Sequence, residues 1–241
     1  MQKPIRDFSI SVIVPAFNEE GNVVDAVSAV NDAAKTIFSQ YEILVINDAS
    51  TDRTGEIAEE LSKQNPRVRV IHNRKNMGMG YNYRHGVQVA NMEYVGLVPG
   101  DNELIEESIF DIFNCVGDAD MVLPYHSNPK IRPLLRRFLS SSFTWILNLL
   151  FGHNLKYYNG PAVHKKDIIS RITISSNGFA YQAEILTRLL KEGCSYVEVG
   201  MKTRSREHGH SKALYPKSIL NVFKTIAKIY YEIVVKNKSV I

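Results

Sequence analysis

The stretch SISVIVPAFNEE at residues 9–20 is an apolar, β-branched run that ends in proline, asparagine and two glutamates. A second stretch, YEILVINDASTD at residues 41–52, repeats the same order of apolar run followed by acidic and hydroxyl residues. Runs of this kind predict buried strands at residues 9–15 and 41–47. Each is followed by a segment with apolar residues at helical spacing, and two such β–α units predict a parallel sheet covered by helices.

Outward from these two units, the alternation of strands and helices continues. Further strands are predicted at residues 67–72, 94–99, 120–124 and 195–199, with a strand or loop at 157–164. Helices are predicted at residues 20–38, 54–64, 81–90, 105–115, 134–151, 181–192 and 217–235. The sequence therefore predicts an α/β fold with a doubly wound, mainly parallel but mixed sheet in one domain over residues 1–215. A basic amphipathic helix over residues 216–241 is expected to follow it.

The composition is that of an ordinary globular protein. Of the 241 residues 44% are hydrophobic and 22% are charged, which excludes collagen-like, mucin-like and low-complexity classes. Cys115 and Cys194 are too isolated for a disulfide framework or a CxxC metal site. The first eight residues do not form a signal peptide, so we expect a cytosolic protein.

Positive charge is concentrated near the C-terminal end. Residues 202–241 contain nine Lys and Arg against two Asp and Glu, whereas residues 1–201 contain 20 against 23. This imbalance predicts an anionic partner, which could be a phosphorylated substrate, a lipid surface or a nucleic acid. The helix at 217–235 either docks on anionic lipid or packs against the sheet. The uncharged run at 138–155 has too many polar residues to span a bilayer and predicts a partly exposed amphipathic helix.

Acidic and amide side chains follow several of the predicted strands. In doubly wound sheets ligands bind beyond the carboxyl ends of the strands, where Asn18, Glu19, Asp48 and Asp101 are expected. One acidic cluster before a helix is more often a helix cap, but several side by side predict a pocket. Asp101 and Glu103 are two residues apart, and their oxygens are of the kind that Mg²⁺ or Mn²⁺ prefers.

A glycine-containing turn, NMGMG at residues 76–80, precedes the third predicted helix. Its glycines permit close approach of the backbone, and a helix start offers free N–H groups to a phosphate. Tyr83 stands where a dinucleotide-binding fingerprint would have its third glycine, which argues against a nicotinamide enzyme.

Four runs in this order, SVIVPAFNEE, VINDASTDRT, NMGMGYNYRHG and VPGDNE, resemble the family 2 glycosyltransferases of the GT-A fold. Two later runs, NGFAYQAEIL at 177–186 and RSREHGHSKA at 204–213, resemble the dolichyl-phosphate mannosyltransferase branch. Its members end with an Arg-x-x-Gly-x-Ser-Lys pattern, which is matched by Arg206, Gly209, Ser211 and Lys212. The resemblance covers about residues 9–213.

The resemblance implies roles for residues in the front half. The residues expected to line the nucleotide of the donor are Pro15, Ala16, Asn18, Glu19, Asp48 and Gly78. Asp101 and Glu103 would hold Mg²⁺ or Mn²⁺. The family usually has an Asp-x-Asp pair here. Either Asp101 and Glu103 correspond to that pair, or Pro99 and Asp101 do. We prefer the second alignment, in which Pro99 replaces the first Asp and Glu103 replaces a ligating Gln.

The resemblance also implies an acceptor site in the rear half. Arg136 and Ser140, four residues apart on one helix face, would hold the acceptor phosphate together with Arg206 and Ser211. Lys212 would assist catalysis. Glu184 is either a general base or a structurally paired glutamate. Residues 159–162, Asn-Gly-Pro-Ala, depart from the family pattern of an aromatic residue and an Arg after the Gly.

The function implied is inverting transfer of one hexose, of mannose or glucose type, from a GDP- or UDP-sugar to a polyprenyl or dolichyl phosphate. The protein would be cytoplasmic and peripheral at the membrane, held there by the lipid surface or by a membrane-anchoring partner, and would bind no nucleic acid. Two alternatives stay open. The acceptor could be a hydroxyl of a glycan or protein, or the chain could be a non-catalytic nucleotide-sugar-binding partner at the membrane.

Overall fold

The structure, a computed structural model, describes residues 6–178, 180–204 and 224–235. Its strands are β1 (Arg6–Ala16), β2 (Phe38–Asn47), β3 (Val68–His72), β4 (Tyr94–Leu97), β5 (Met121–His126), β6 (Val163–Lys165) and β7 (Tyr196–Met201). Its helices are α1 (Val23–Ile37), α2 (Thr54–Gln64), α3 (Met79–Val89), α4 (Glu106–Phe113), α5 (Leu134–Phe151), α6 (Lys166–Ile169) and α7 (Tyr181–Lys191). A last helix, α8, covers residues 224–230 and continues as a π-helical turn at Tyr231–Val235.

All seven strands belong to one sheet, in the order β3-β2-β1-β4-β6-β5-β7. Strand β6 is antiparallel to both of its neighbours, and every other pair is parallel. The predicted mixed, mainly parallel sheet is therefore confirmed. Because six strands point the same way, the turns that follow them all lie at one edge of the sheet, called here the carboxyl edge.

Two apolar cores cover the two faces of the sheet. Along β1, Val12 and Val14 belong to the core shared with α1 and α4, whereas Ile13 points into the core shared with α3 and α7. Burial on both faces explains why the strand is almost continuously apolar. One polar exception is Ser11, which donates a hydrogen bond to the buried carboxylate of Glu42 at 2.7 Å.

Several predicted elements differ from those observed. The predicted strand or loop at 157–164 is mostly loop, and only Val163–Lys165 pairs in the sheet. The predicted C-terminal helix is described over 224–235 only, where Ile226, Ile229 and Ile233 are buried. The helix meets α7, since Lys191 Nζ donates to the carbonyl of Ile233 at 2.8 Å. In the described ranges the apolar stripe of this helix is packed, since Ile226 belongs to the core that α3, α7 and the sheet share. Across residues 6–178, 180–204 and 224–235, no helix is long and apolar enough to cross a bilayer.

Candidate active site

The end of β1 is held on both sides by the turns that follow its neighbours. The carbonyl of Ala16 accepts the backbone N–H of Asp48 at 2.9 Å, and the carbonyl of Pro15 accepts that of Gly100 at 3.0 Å. A Cβ on Gly100 would lie only 3.1 Å from the Cβ of Ala16, so glycine lets the turn after β4 approach closely. Asp48 and Asp101 consequently flank the end of β1, because β2 and β4 are its two neighbours in the sheet.

The carboxyl edge also holds strained backbone. Asn18, Ala49 and Asn102 have φ of 58°, 60° and 53°, and they are the non-glycine residues with positive φ in the described part of the chain. Each lies just beyond the end of a strand, β1, β2 or β4. Such conformations cost on the order of 1–3 kcal/mol each and concentrate at functional sites. Their position supports the carboxyl edge as the site.

Hydrogen bonds between side chains and backbone join the turn after β1 to the turn after β2. Asn18 Oδ1 accepts the backbone N–H of Thr51 at 2.8 Å, and the backbone N–H of Asn18 donates to Ser50 Oγ at 3.0 Å. The next backbone N–H, of Glu19, donates to Thr54 Oγ1 at 2.8 Å. The two turns are therefore joined into one unit, which includes Asn18 and Glu19, two of the donor-binding residues that the resemblance implies.

Two acidic side chains complete this unit. Glu20 Oε2 accepts the backbone N–H of Arg53 at 2.9 Å, while the backbone N–H of Glu20 donates to Asp52 Oδ2 at 3.2 Å. Burial pushes the pKa of Asp52 upward, but hydrogen bonds from Thr54 and Glu20 outweigh it and hold that pKa below its ordinary value. Both carboxylates thus accept backbone N–H groups of the neighbouring turn and have a structural role in joining the two turns.

Asp48 is buried and fully engaged with the turn before α3. Its Oδ1 accepts the N–H of Met77 at 2.8 Å and the amide of Asn73 at 2.7 Å, and its Oδ2 accepts the N–H of Gly78 at 2.9 Å. The N–H of Gly80 donates to the carbonyl of Asn177 at 2.9 Å. The expectation that this turn offers free N–H groups to a phosphate is therefore wrong for Met77, Gly78 and Gly80.

The glycines of this turn are required by a neighbouring loop. A Cβ on Gly78 would lie 2.7 Å from the carbonyl oxygen of Asn177, and one on Gly80 would lie 2.2 Å from that of Ser176. Both distances are too short for real contacts. The close approach of the loop at 176–177 therefore requires glycine at positions 78 and 80. Gly78 is thus a packing partner of this loop, and Asp48 holds it in place.

Asp101 and Glu103 form the turn after β4. Asp101 Oδ1 accepts the backbone N–H of Glu103 at 3.2 Å, and both residues are half-buried. Within the described residues no group of three or more His, Cys, Asp or Glu could hold a metal, so Asp48 does not complete a three-carboxylate centre. Two carboxylates fit Mg²⁺ nevertheless, because this ion usually keeps several waters and binds through one or two carboxylates and the substrate phosphates.

The segment that leads into the basic motif at residues 204–213 passes beside Glu103. The backbone N–H of Arg204 donates to the carbonyl of Glu103 at 2.8 Å, and Thr203 forms an antiparallel bridge with Leu104. Asn128 fixes the same segment, because its side chain exchanges two hydrogen bonds with the backbone of Thr203, at 2.8 and 3.1 Å. The predicted residues Arg206, Ser211 and Lys212 lie outside the described residues.

Arg136 and Ser140 lie on α5 and are both half-buried. Arg136 lies near His126, the last residue of β5, whose ring packs on that of Tyr157 at 5.0 Å. Burial, with the charges of Arg132 and Arg136, lowers the pKa of His126 to about 4, so its imidazole is neutral at physiological pH. Arg136 is thus found near the carboxyl end of β5, on the same edge as Asp101.

The sequence analysis did not single out His126 and Asn128 at this edge. His126 ends β5 and Asn128 lies two residues beyond it, so applying the strand-end rule to β5 as well as to β1, β2 and β4 would have found them.

Glu184 is completely buried at the start of α7. Its Oε2 accepts the backbone N–H groups of Ser175 and Ser176 at 3.0 and 2.9 Å, and its Oε1 accepts Ser175 Oγ at 2.8 Å and Arg188 at 3.2 Å. Arg188 also pairs with Glu232 beyond α8, at 2.7 Å. This geometry favours the structurally paired alternative over a general base, since both oxygens are already occupied.

Comparison with known proteins agrees with this arrangement. The sequence model of the family "Glycosyl transferase family 2" matches residues 11–158. The chain is 28% identical over 220 residues to polyprenol monophosphomannose synthase of Mycolicibacterium smegmatis, covering 83% of this chain and 79% of that protein. It is 25% identical over 233 residues to undecaprenyl-phosphate mannosyltransferase of Micrococcus luteus, covering 88% and 92%.

A solved structure shows the same fold. Glucosyl-3-phosphoglycerate synthase of Mycobacterium tuberculosis, in complex with Mn²⁺, uridine diphosphate and glucosyl-3-phosphoglycerate, matches with a TM-score of 0.68. The identity is 16%, and the match covers 92% of this chain and 80% of that one. The fold is therefore GT-A, and the relatives match the polyprenyl-phosphate branch that the sequence motifs indicated. With a family match over more than half of its length, this chain belongs to glycosyl transferase family 2.

Proposed function

We propose that the protein transfers one hexose, of mannose or glucose type, from a GDP- or UDP-sugar to a polyprenyl phosphate, with inversion at the anomeric carbon. The relatives from M. smegmatis and M. luteus, whose names specify polyprenyl-phosphate mannosyl transfer, support the acceptor class. The placement proposed is the cytosolic face of a membrane, to which the protein binds peripherally. Mg²⁺ or Mn²⁺ is the proposed cofactor.

One observation carries this proposal furthest: Asp101 and Glu103 share the carboxyl edge with Arg136, with the end of β1 and its rigid turns beside them. A nucleotide sugar and an anionic acceptor can therefore meet above one edge of one sheet. Asp101 and Glu103 hold the metal in this proposal, and the donor nucleotide lies over Pro15, Ala16, Asn18 and Glu19. Asp48 contributes indirectly, by holding the turn before α3.

The leaving diphosphate gathers negative charge as the glycosidic bond lengthens. The divalent ion, when bound, stabilises that charge. Arg136 and Ser140 orient the acceptor phosphate for attack on the anomeric carbon from the face opposite the leaving group, and a single displacement of this kind inverts the configuration. Because His126 is neutral, the positive charge at this point of the site is that of the guanidinium groups of Arg132 and Arg136. Arg206, Ser211 and Lys212 are proposed to complete the acceptor site from the motif that begins next to Glu103.

A phosphate acceptor suits this site better than a hydroxyl. A hydroxyl acceptor needs a general base within hydrogen-bond reach, whereas a phosphate is already anionic at neutral pH. Glu184, which the sequence left open as a general base or a structurally paired glutamate, is buried and hydrogen-bonded to Ser175, Ser176 and Arg188. A reaction that needs no base is therefore favoured.

A donor and acceptor panel tests the proposal. Radiolabelled GDP-mannose, GDP-glucose and UDP-glucose are each incubated with Mg²⁺ or Mn²⁺ and a short polyprenyl phosphate, and sugar is counted in the organic phase. We expect incorporation with one donor, its loss in Asp101→Asn, and a product of inverted anomeric configuration by NMR. Asp118→Asn, which removes a carboxylate from the loop before β5, is the matched control and should retain activity.

Three results would contradict the proposal. Transfer to glycan or protein hydroxyls with polyprenyl phosphate inert would indicate the other acceptor class. Metal-dependent binding of the donor without transfer or hydrolysis would indicate a non-catalytic partner. Full activity in Asp101→Asn would remove the metal role.

A further inference from the structure

His72 ends β3, and its imidazole joins two neighbouring elements. Nδ1 lies 2.9 Å from Nδ2 of Asn47, the last residue of β2, and Nε2 lies 2.9 Å from Oε1 of Glu59 on α2. Asn47 is buried, whereas the side chains of His72 and Glu59 are partly exposed. The imidazole therefore connects α2 to the buried end of β2.

A backbone N–H decides which way the side-chain amide of Asn47 points. The N–H of Ser50 donates to Asn47 Oδ1 at 3.0 Å. If the amide were turned around, its NH₂ group would meet this N–H, and two donors would face each other. Helix α2 also restricts the amide, because a Cβ on Gly55 would lie only 2.7 Å from Asn47 Nδ2. The NH₂ group of Asn47 therefore faces His72.

The orientation of Asn47 decides the tautomer of His72. Because Asn47 Nδ2 can only donate, Nδ1 of the imidazole accepts and carries no proton. The proton of the neutral ring is then on Nε2, where it is donated to Glu59 Oε1. A ring with its proton on Nδ1 would meet Asn47 donor against donor. His72 thus holds Asn47 as the Nε2–H tautomer, and the carboxylate of Glu59 favours this tautomer by accepting its proton.

The amide that His72 holds lies at the start of the turn after β2. Ala49 in this turn has φ of 60°, a conformation that costs free energy and needs contacts to maintain it. The bond from the Ser50 N–H to Asn47 is one such contact, and Ser50 Oγ accepts the backbone N–H of Asn18 at 3.0 Å. A chain of hydrogen bonds thus runs from the imidazole through Asn47 and Ser50 to Asn18.

We propose that His72 is a positioning residue for the donor nucleotide. Its Nδ1 atom holds Asn47 in the one orientation that fixes the turn after β2, and this turn holds the backbone of Asn18 beneath the nucleotide. The imidazole does not itself touch the nucleotide in this arrangement, so it affects donor binding and not the bond-breaking step. The effect on the nucleotide rests on the proposed function, whereas the tautomer and the fixed turn do not.

The first test needs no substrate. A long-range ¹H–¹⁵N NMR spectrum of the full-length protein in mildly alkaline buffer shows which imidazole nitrogen carries the proton, and His72→Asn assigns the signal. We expect the proton of His72 on Nε2 and none on Nδ1. Hydrogen exchange of the Ser50 amide should become about fivefold faster or more in His72→Ala, since the hydrogen bond that protects it is weakened.

The second test measures nucleotide binding. UDP and GDP, each with Mg²⁺, are titrated into the full-length protein by calorimetry, and KM and kcat are measured with the corresponding sugar. We expect His72→Ala to raise the Kd of the nucleotide that binds, and the KM of its sugar, by about fivefold or more. The kcat should change by less than about twofold, because uniform binding is lost and transition-state stabilisation is not.

Two further variants separate the imidazole from general damage to the fold. His72→Asn should restore most of the affinity, because its side-chain oxygen can occupy the place of Nδ1 and accept from Asn47. Glu59→Ala removes the acceptor for Nε2–H and should weaken nucleotide binding in the same direction. Glu60→Ala, at the next and exposed position of α2, is its matched control and should bind as the parent protein does. Urea denaturation checks that each variant remains folded.

Four outcomes would overturn the positioning role. A proton on Nδ1 of His72 would refute the tautomer. Equal losses in His72→Asn and His72→Ala would show that acceptance at Nδ1 is not what matters. A fall in kcat with unchanged Kd would assign the residue to the chemical step. Lower stability of His72→Ala, with both Ser50 exchange and nucleotide affinity unchanged, would leave a purely structural residue.

The positioning role and the proposed function can fail separately. Faster exchange of Ser50 in His72→Ala, in a protein that binds neither UDP nor GDP, would support the fixed turn and contradict the proposed function. Sugar transfer by the parent protein with the same Kd and KM in His72→Ala would support the function and contradict the positioning role.

Discussion

Asp48 Oδ2 accepts the backbone N–H of Gly78 at 2.9 Å, and through this bond the turn after β2 fixes the turn that begins α3. The second side of that turn is closed by Asn177, whose carbonyl accepts the N–H of Gly80. The turn is therefore held between a buried carboxylate and a loop that Glu184 positions. Its geometry depends on contacts from three distant parts of the sequence.

Replacing Gly78 by alanine should disrupt this arrangement. Gly78 has φ of 87°, and an added Cβ would lie 2.7 Å from the carbonyl oxygen of Asn177. Gly152→Ala is the comparison for the added atom, because Gly152 has φ of 69° and nothing within 4 Å of an added Cβ. Gly152 lies in the αL region with ψ of 28°, whereas the ψ of 165° at Gly78 adds backbone strain of its own to the close approach. We expect Gly152→Ala to lower the free energy of unfolding by about 1–2 kcal/mol, from backbone strain alone. Gly78→Ala should lose clearly more in urea denaturation, and equal losses would contradict the close approach.

Glu184→Gln separates a structural role from a catalytic one. A glutamine keeps the size of the side chain but turns an amide donor toward N–H groups that need acceptors, so we expect about 1–3 kcal/mol lower stability. Transfer per folded molecule should fall only modestly. The exposed residue Glu60 provides the control Glu60→Gln, which should be neutral. Loss of turnover by orders of magnitude with unchanged stability would identify Glu184 as a base after all.

Glu42 should make the free energy of unfolding depend on pH in the acidic range. Burial pushes the pKa of Glu42 upward, but hydrogen bonds from Ser11, Asn91 and Arg69 outweigh it and leave that pKa below its ordinary value of 4.5. Because the folded-state pKa is the lower one, the stabilisation is fully present above pH 4.5 and is lost as the pH falls through the folded pKa. Glu42→Gln should flatten the pH dependence of the free energy of unfolding in this window. An unchanged pH dependence of the free energy of unfolding in Glu42→Gln would contradict the lowered pKa of Glu42.

His126 should titrate near pH 4 in the folded protein. Burial is the main cause of its low pKa, and the positive charges of Arg132 and Arg136 add to it. Since the unfolded chain takes up this proton at a higher pH, the residue lowers stability progressively as the pH falls from 6.5 to about 4. NMR titration of the imidazole checks this, with His126→Gln to assign the signal. Arg136→Ala should raise the midpoint, and an unchanged midpoint would place Arg136 away from His126.

Most of the architecture could be predicted because hydrophobic periodicity decides it. The apolar runs of β1, β2 and β4 were enough to place Asp48 and Asp101 at the carboxyl edge, whereas their positions on either side of β1 follow from the strand order. The antiparallel β6 was harder, since Val163–Lys165 is too short to show a pattern. Its pairing is set by contacts with β4 and β5, which are distant in sequence.

The site was predictable in position and less so in detail. Residue type and strand ends correctly brought Asp101, Glu103 and the β1 turn together. They could not reveal that the carboxylate of Asp48 is occupied by Met77 and Gly78, because hydrogen bonds across thirty residues leave no local signal. Likewise the burial of Glu184 follows from Ser175 and Ser176 folding back over it.

In the proposed function, strand β6 would act as a spacer between the two reactants. It separates β4, which ends near Asp101, from β5, which ends at His126, by two strand spacings or about 10 Å. That interval is wide enough for a hexose ring, and β6 runs the other way, so it sends no helix-bearing turn into the gap. In a sheet without this strand, the leaving group and the nucleophile of the proposed reaction, both anionic, would lie side by side with no room for the sugar between them.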